Sequence, residues 1–445
     1  MPPSKLMFMA ATLAGAGLAC TLPGAGEVAN VATSVAATLT AVVSGGTLAG
    51  PEIVPSDAVT PVPPTPTIAP PFLRIVYIDG GNVMLIEEGA PPVPLTAGGD
   101  AETVRIASDG MKIVYTRRLA PGSAVEMHSL NVDGTGDLAI LTPATLGGLY
   151  PLPSGTVAID VSSFAWVPGT HTVAFNTLAI PEFIGLFKFD DLLTVNADTG
   201  ATATLLGPGS GGDFSLSPDG SRIVFAQPEA ISLIDTDGTD LASAVVPYAP
   251  VITYSEYQYY AVPDWAPDSS AAGVVIPSAD PLAPGASRAV WRIAADGSAA
   301  SHLTDLSGAF TNRFFSSWAL SPDLSQILFL RDAAAPNVSD LVLANADGTG
   351  ETPVVTGMIS NPGWSPSGSQ FTFSFGDPFD IRLGTPGGGP VPLAMGMDIR
   401  WINATEFLYL SGSFGSWTLN RGEIGAAPVP LASPAGDFVA FDFDT

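Results

Sequence analysis

Phe214 to Phe225 reads FSLSPDGSRIVF, a tight turn, Ser-Pro-Asp-Gly, held between two short apolar runs. Diluted copies follow the same plan: VRIASDGMKIVY from Val104, FAWVPGTHTVAF from Phe164, WALSPDLSQILF from Trp318 and GWSPSGSQFTF from Gly363. Each copy puts a large apolar residue just ahead of the turn, at Ile106, Trp166, Leu216, Trp265, Leu320, Trp364 and Trp401. A β-rich triplet follows it, as in Ile113-Val114-Tyr115, Ile223-Val224-Phe225 and Ile327-Leu328-Phe329. Proline fixes φ at the head of the turn, and Asp-Gly supplies a left-handed geometry that a Cβ resists. The unit is a hairpin, and its recurrence organises the chain.

Working outward, a third apolar run and a second turn complete each unit, as in LNVDGTGDLAIL, LTVNADTGATATLL, ISLIDTDGTDLASAVV and LVLANADGTGETPVV. Asp-Gly between alternating apolar residues is a strong hairpin signal. Each unit is therefore four antiparallel strands, a to d. Tandem units of this kind specify an all-β fold, a single β-propeller whose blades bury both faces against their neighbours. Full units start near Glu102, Asp160, Gly212, Ala261, Ser316, Ser360 and Met397. Arg74 to Thr96 supplies only b, c and d, while GDFVAFDF (Gly436 to Phe443) is a spare strand. Closure of the first blade by that C-terminal strand makes eight blades. Seven is the alternative, because Ser433-Pro-Ala-Gly precedes the spare strand as Ser-Pro-Asp-Gly precedes a b strand.

The charge balance narrows the function classes. Lys and Arg number 15 against 42 Asp and Glu, a formal charge of −27. A polyanion of that size repels phosphate backbones and anionic lipid surfaces, so nucleic acid is not an expected partner. No Gly-x-Ser-x-Gly occurs, and His128, His171 and His302 are dispersed through the repeat, so no catalytic residue is assigned. The acids of the c–d turns, Asp133, Asp198, Asp235, Asp237, Asp240, Asp296 and Asp347, suggest calcium loops, but the closing bidentate Glu is missing and hairpin geometry accounts for their recurrence. With a single cysteine, Cys/His metal sites are excluded as well. No metal or cofactor is expected.

The N-terminus carries Lys5 and an apolar run from Leu6 to Ala19, followed by Cys20. Gly-Leu-Ala-Cys-Thr resembles the bacterial lipoprotein signal, which implies a signal peptide over 1–19, lipid attachment at Cys20 and an extracytoplasmic, membrane-anchored protein. Without lipidation the chain would be secreted. Residues 20–71 read as a tether, rich in Ala, Val and Thr and then in Pro and Thr. Asp57 to Pro71 (DAVTPVPPTPTIAPP) suits an extended spacer of roughly 3 Å per residue. The body is expected over 72–445. Its repeat resembles the WD-like propeller repeats of TolB-type proteins, on Trp364-Ser365-Pro366, Ser217-Pro218-Asp219-Gly220, Asn345-Ala346-Asp347-Gly348 and Leu303-Thr304. That resemblance implies a non-catalytic extracytoplasmic binding scaffold, but not TolB's own partners, because an α/β domain stands in TolB where this chain has a spacer.

Irregularity concentrates on one face. The a–b and c–d turns are tight, whereas the b–c and d–a connections are long and uneven, above all Thr142 to Gly155, Leu178 to Phe189, Pro247 to Tyr260 and Pro277 to Arg288. Variable loops on a regular scaffold are where binding resides. The candidate ligand-binding residues are Tyr248, Tyr254, Tyr257, Tyr259, Tyr260, Phe183 and Phe187, for an envelope protein or a glycan. The alternative for the tyrosines is packing onto the outer strands or within the central channel. An alternative function is a polysaccharide-acting enzyme using channel carboxylates, which requires two of them about 5–10 Å apart in an open pocket.

Overall fold

A computed structural model describes residues 72–445 apart from 121, 184, 186, 256, 308–316, 336, 377–379 and 438. The signal segment, Cys20 and the tether over 20–71 lie outside the described residues. The described chain folds into eight antiparallel sheets with strands in the order a, b, c, d, blade 3 adding a fifth short strand, Phe187–Lys188, beside its b strand. Blade 1 joins the two ends of the body: Arg74–Asp79 lies between Asn82–Glu87 and the C-terminal strand Phe441–Asp444. Ile75 faces Phe443 and Tyr77 faces Phe441 in that pairing. Blades 2 to 8 follow as Ala101–Leu141, Thr156–Leu206, Asp213–Pro247, Asp264–Ser307, Trp318–Gly357, Ile359–Met395 and Met397–Ala432. Eight blades is the architecture. The Ser433–Gly436 stretch that argued for seven is the link from blade 8 to blade 1, where Ala435 N donates to Asp79 Oδ1 and Gly80 N to Ala435 O.

The core is divided among the blade interfaces. Eight separate apolar clusters are buried, each drawn from two neighbouring blades. Strand b explains how. Ile223 and Phe225 enter the layer shared with blade 3, while Val224 and Ala226 enter the layer shared with blade 5. Successive side chains of a strand point to opposite faces, so a strand covered on both sides must be apolar at every position. Each such side chain contributes roughly 1.5–3 kcal/mol on burial.

Polar contacts fix how neighbouring blades meet. Trp265 Nε1 donates to Ser215 O on the preceding blade at 3.1 Å, and Trp364 Nε1 to Ala319 O at 3.0 Å. Within the Ser-Pro-Asp-Gly turn, Ser217 Oγ donates to Asp219 Oδ1 and accepts from Arg222 N. Gly220 holds φ at +72°, and a Cβ there would lie 2.3 Å from Pro168 O of blade 3. Blade 6 puts Leu324 at this position with φ 57°. That strain, about 1 kcal/mol or more, is offset by burying the Leu324 side chain between blades 5 and 6.

The a–b and c–d turns occupy one end of the ring and the b–c and d–a connections the other. Arg74 pairs with Asp444 at the a–b end of blade 1. Phe72 therefore lies on the turn face, and the loop face points away from the point where the chain enters the body.

Candidate functional site

The four long connections form one interlocked rim over blades 2 to 5. The first is anchored by a short helix, Pro143–Gly147, whose N-cap Thr142 accepts from Thr145 N at 3.1 Å. Its Gly155 O accepts from Glu182 N of the blade 3 loop, and the Tyr150 ring lies 5.0 Å from the Phe189 ring. From the blade 3 loop, Lys188 reaches the third connection, where its ammonium lies 4.1 Å over the Tyr260 ring. The third joins the fourth through Ile252 N to Ala279 O at 2.8 Å and Tyr254 Oη to Asp280 Oδ1 at 2.7 Å. Loops separated in sequence thus become one surface.

The tyrosines divide into supports and surface. Tyr248, Tyr259 and Tyr260 pack against the apolar layer between blades 4 and 5. Tyr248 Oη donates to the backbone oxygen of Gln227, and burial pushes its pKa above the ordinary range. Burial likewise pushes Tyr259 up to about 12, against the pull of the Arg288 charge. Tyr257 is half-buried, and its backbone oxygen accepts from Thr253 Oγ1. Tyr254 alone of the five is exposed, at 58%, with a left-handed φ of 56°. Phe183 is 89% exposed, and Phe187, on the two-residue strand Phe187–Lys188, is 44% exposed. The packing alternative thus describes Tyr248, Tyr259 and Tyr260, while Phe183, Phe187 and Tyr254 reach solvent.

A charged cluster at the inner edge of this rim had escaped sequence reasoning. Lys188 Nζ pairs with Asp213 at the head of the blade 4 inner strand, and Tyr260 Oη donates to Asp190 Oδ1 at 2.7 Å. Burial raises the Asp190 carboxyl above its ordinary value, opposed by the Tyr260 hydrogen bond and the Lys188 charge. Its neighbour Asp191 is fully buried and accepts from Thr177 N and Thr177 Oγ1. The buried Tyr150 hydroxyl sits beside Asp191 without regular hydrogen-bond geometry. The available signal was the doubled acid Asp190-Asp191 after Phe-Lys-Phe. Asp190 adopts φ 48°, and the two carboxylates part, one to the rim and one beneath it. At the blade 5 inner strand Asp264 is open to water yet ringed by protein, and desolvation pushes its carboxyl up to about 6.

The turn-face acids are engaged locally. Asp133, Asp237, Asp296 and Asp347 each accept the N–H two residues ahead, from Thr135, Thr239, Ser298 and Thr349. The hydroxyls of the same residues, with those N–H bonds second, hold their carboxyls below the usual range. Among the described residues, no group of three or more His, Cys, Asp or Glu side chains is arranged to hold a metal ion.

The histidines lie apart from the rim and from each other. His128 contacts Asp137 at 2.9 Å, and His302 contacts Asp305 at 3.2 Å. His171 bridges blades 2 and 3 between Asp109 and Asp198, each at 2.9 Å. Burial, the largest single influence, lowers the His171 pKa, but the two carboxylates together outweigh it and hold it above 6.5. A raised folded pKa means stabilisation that is fully present below the unfolded value and lost as pH rises through the folded one. His171→Gln should therefore cost stability at pH below 6.5 and progressively less above it. Denaturant unfolding of both proteins across that pH range checks this, and an equal gap at every pH would contradict it.

No family model matches the chain, and no curated protein matches it in sequence. Solved structures do share its architecture. The Porphyromonas gingivalis dipeptidyl peptidase 4 aligns at 9% identity over 80% of this chain and 56% of its own, with a TM-score of 0.50. TolB from Acinetobacter baumannii aligns at 12% identity over 76% of this chain and 84% of its own, with a TM-score of 0.36. An oligogalacturonate lyase in complex with manganese aligns at 11% identity over 82% and 97%, with a TM-score of 0.42. At these identities the likeness concerns fold alone and does not bear on activity.

Proposed function

We propose that this protein is a non-catalytic binding scaffold that presents the loop face of its propeller to a macromolecular partner, an envelope protein or a glycan. The observation that carries this reading is the joining of four long loops into one rim that leaves Phe183, Phe187 and Tyr254 in solvent. Exposed aromatic side chains on a rigid scaffold are costly to solubility and are suited to contact.

Pull-down with cell-wall glycans and envelope proteins should retain a partner, and the combined variant Phe183→Ala/Phe187→Ala/Tyr254→Ala should reduce retention at least tenfold without changing the melting temperature. Unchanged retention by that variant removes the loop face from the reading. Cys20→Ala should move the protein from the membrane fraction to the soluble one, and continued membrane association would count against lipid anchorage.

A further inference from the structure

We infer that the occupant of the loop face is a cationic polypeptide segment bearing aromatic or aliphatic side chains. The inference rests on the binding reading above and adds the chemistry of the partner. Leu152, Phe183, Phe187, Ile252, Tyr254 and Leu282 are all between 41% and 89% exposed, and all six lie on the four joined loops. The opposite, turn face also exposes apolar side chains, Phe72, Met111 and Leu241 among them, but they stand on separate segments rather than on joined loops. A glycan is a poor match for this set. Leu152, Ile252 and Leu282 offer neither hydrogen bonds nor flat rings, so sugar hydroxyls buried against them would lose water without replacement. A peptide brings apolar side chains of its own to the same surface.

Charge supplies a second, independent line. Glu182 and Asp280 stand on these loops, Glu229 on the b–c turn of blade 4 and Asp264 at the inner strand of blade 5, and none has a Lys or Arg ion pair among the described residues. The cations of this region are already engaged, Lys188 by Asp213 and Arg118 by Glu102 and Asp160. Arg288 is buried, with Nη1 bonded to Ser317. A face with acids to spare, on a body of formal charge −27, attracts positive segments and repels negative ones. The rim also shows how it holds an ammonium: Lys188 sits over the Tyr260 ring and pairs with the Asp213 carboxylate. An aromatic face with a carboxylate is suited to a Lys side chain arriving from a partner as well.

The test titrates the full chain into three labelled peptides of one length, with Lys/Phe, Glu/Phe and Lys/Ser patterns on glycine spacers, and reads fluorescence anisotropy. The Lys/Phe peptide should bind at least tenfold more tightly than either of the others, and its affinity should fall as salt rises. Phe183→Ala/Phe187→Ala/Tyr254→Ala should weaken it at least tenfold. Glu182→Gln/Glu229→Gln/Asp280→Asn should weaken it and flatten the salt dependence, with melting temperature confirming that both variants fold. Equal binding of the Glu/Phe peptide overturns the charge argument, and equal binding of Lys/Ser reduces the effect to diffuse attraction and overturns the apolar one. If no peptide binds while a glycan is retained in the pull-down, this inference fails and the broader reading stands. If peptides bind but both loop variants bind as well as the parent, the surface is wrong and both fail.

Discussion

Deleting residues 436–445 should give a chain that no longer melts as one cooperative unit and that associates in solution. The C-terminal strand is the inner strand of blade 1, the only part of that blade drawn from the far end of the chain. Its removal strips Phe441 and Val439 from the layer between blades 8 and 1. Asp442 Oδ2, which accepts from Ile106 N of blade 2 at 3.0 Å, goes with it. So does the carbonyl of Phe441, which accepts from Arg400 Nη1 of blade 8 at 2.7 Å, and the ring that lies 4.2 Å beneath the Arg400 guanidinium. One strand therefore ties three consecutive blades. Without it the edge of Arg74–Asp79 is unpaired, and an open sheet edge recruits other chains. A milder version, Phe441→Ala, leaves the backbone pairing and removes a fully buried ring. It should cost about 3–5 kcal/mol, the range for deleting a core aromatic. Calorimetry and light scattering read both effects. A truncated protein that stays monomeric and melts at the parent temperature would show that the ring does not depend on this closure.

The closure was legible in sequence because a propeller leaves a count to balance: blade 1 lacked one strand and the C-terminus offered one. Blade identity was legible too, since apolar runs such as Ile223-Val224-Phe225 are what burial on both faces demands. The rim was legible only as the place where regularity stopped. Sequence grouped Tyr248, Tyr254, Tyr257, Tyr259 and Tyr260 by proximity along the chain, but their fates follow the backbone path. Tyr254, at a left-handed φ, turns outward, while Tyr248 and Tyr259 fall back onto blades 4 and 5. The charged cluster left only one trace in the sequence, the doubled acid Asp190-Asp191. Lys188 and Asp190 come from the blade 3 loop, Asp213 from blade 4 and Tyr260 from the link to blade 5, and no local pattern records that their side chains converge. The meaning of Ser433-Pro-Ala-Gly was hidden for a related reason: the same residues can serve a hairpin turn or an interblade link, and only the position of Asp79 decides.

Asp191→Ala should destabilise the protein by about 2–4 kcal/mol and loosen the rim above it, although Asp191 touches no solvent. Its carboxylate takes Thr177 N at 2.8 Å on one oxygen and Thr177 Oγ1 on the other. Its backbone carbonyl accepts from Asn176 Nδ2, which also holds Gly212 O. The link into blade 4 passes so close that a Cβ on Gly211 would lie 2.4 Å from the Asp191 carbonyl carbon. Truncation leaves two buried donors without acceptors in a space no larger than a carboxylate, and each orphaned donor costs roughly 1–3 kcal/mol. Asp191→Asn separates geometry from charge. Burial raises the Asp191 pKa, with hydrogen bonds from Thr177 pulling against it. A raised folded pKa means that its contribution is present below 3.8 and lost as pH rises through the folded value. The Asn variant, which keeps an acceptor and has no charge to bury, should therefore gain on the parent as pH rises, while the Ala variant stays below it throughout. Denaturant unfolding from pH 4 to 8 reads the difference. Binding at the loop face should fall with Asp191→Ala as well, because Asp190 and its bond to Tyr260 are positioned by the residue beneath them. An Ala variant within about 0.5 kcal/mol of the parent, the range of an ordinary surface change, would mean that the buried carboxylate does not hold the rim.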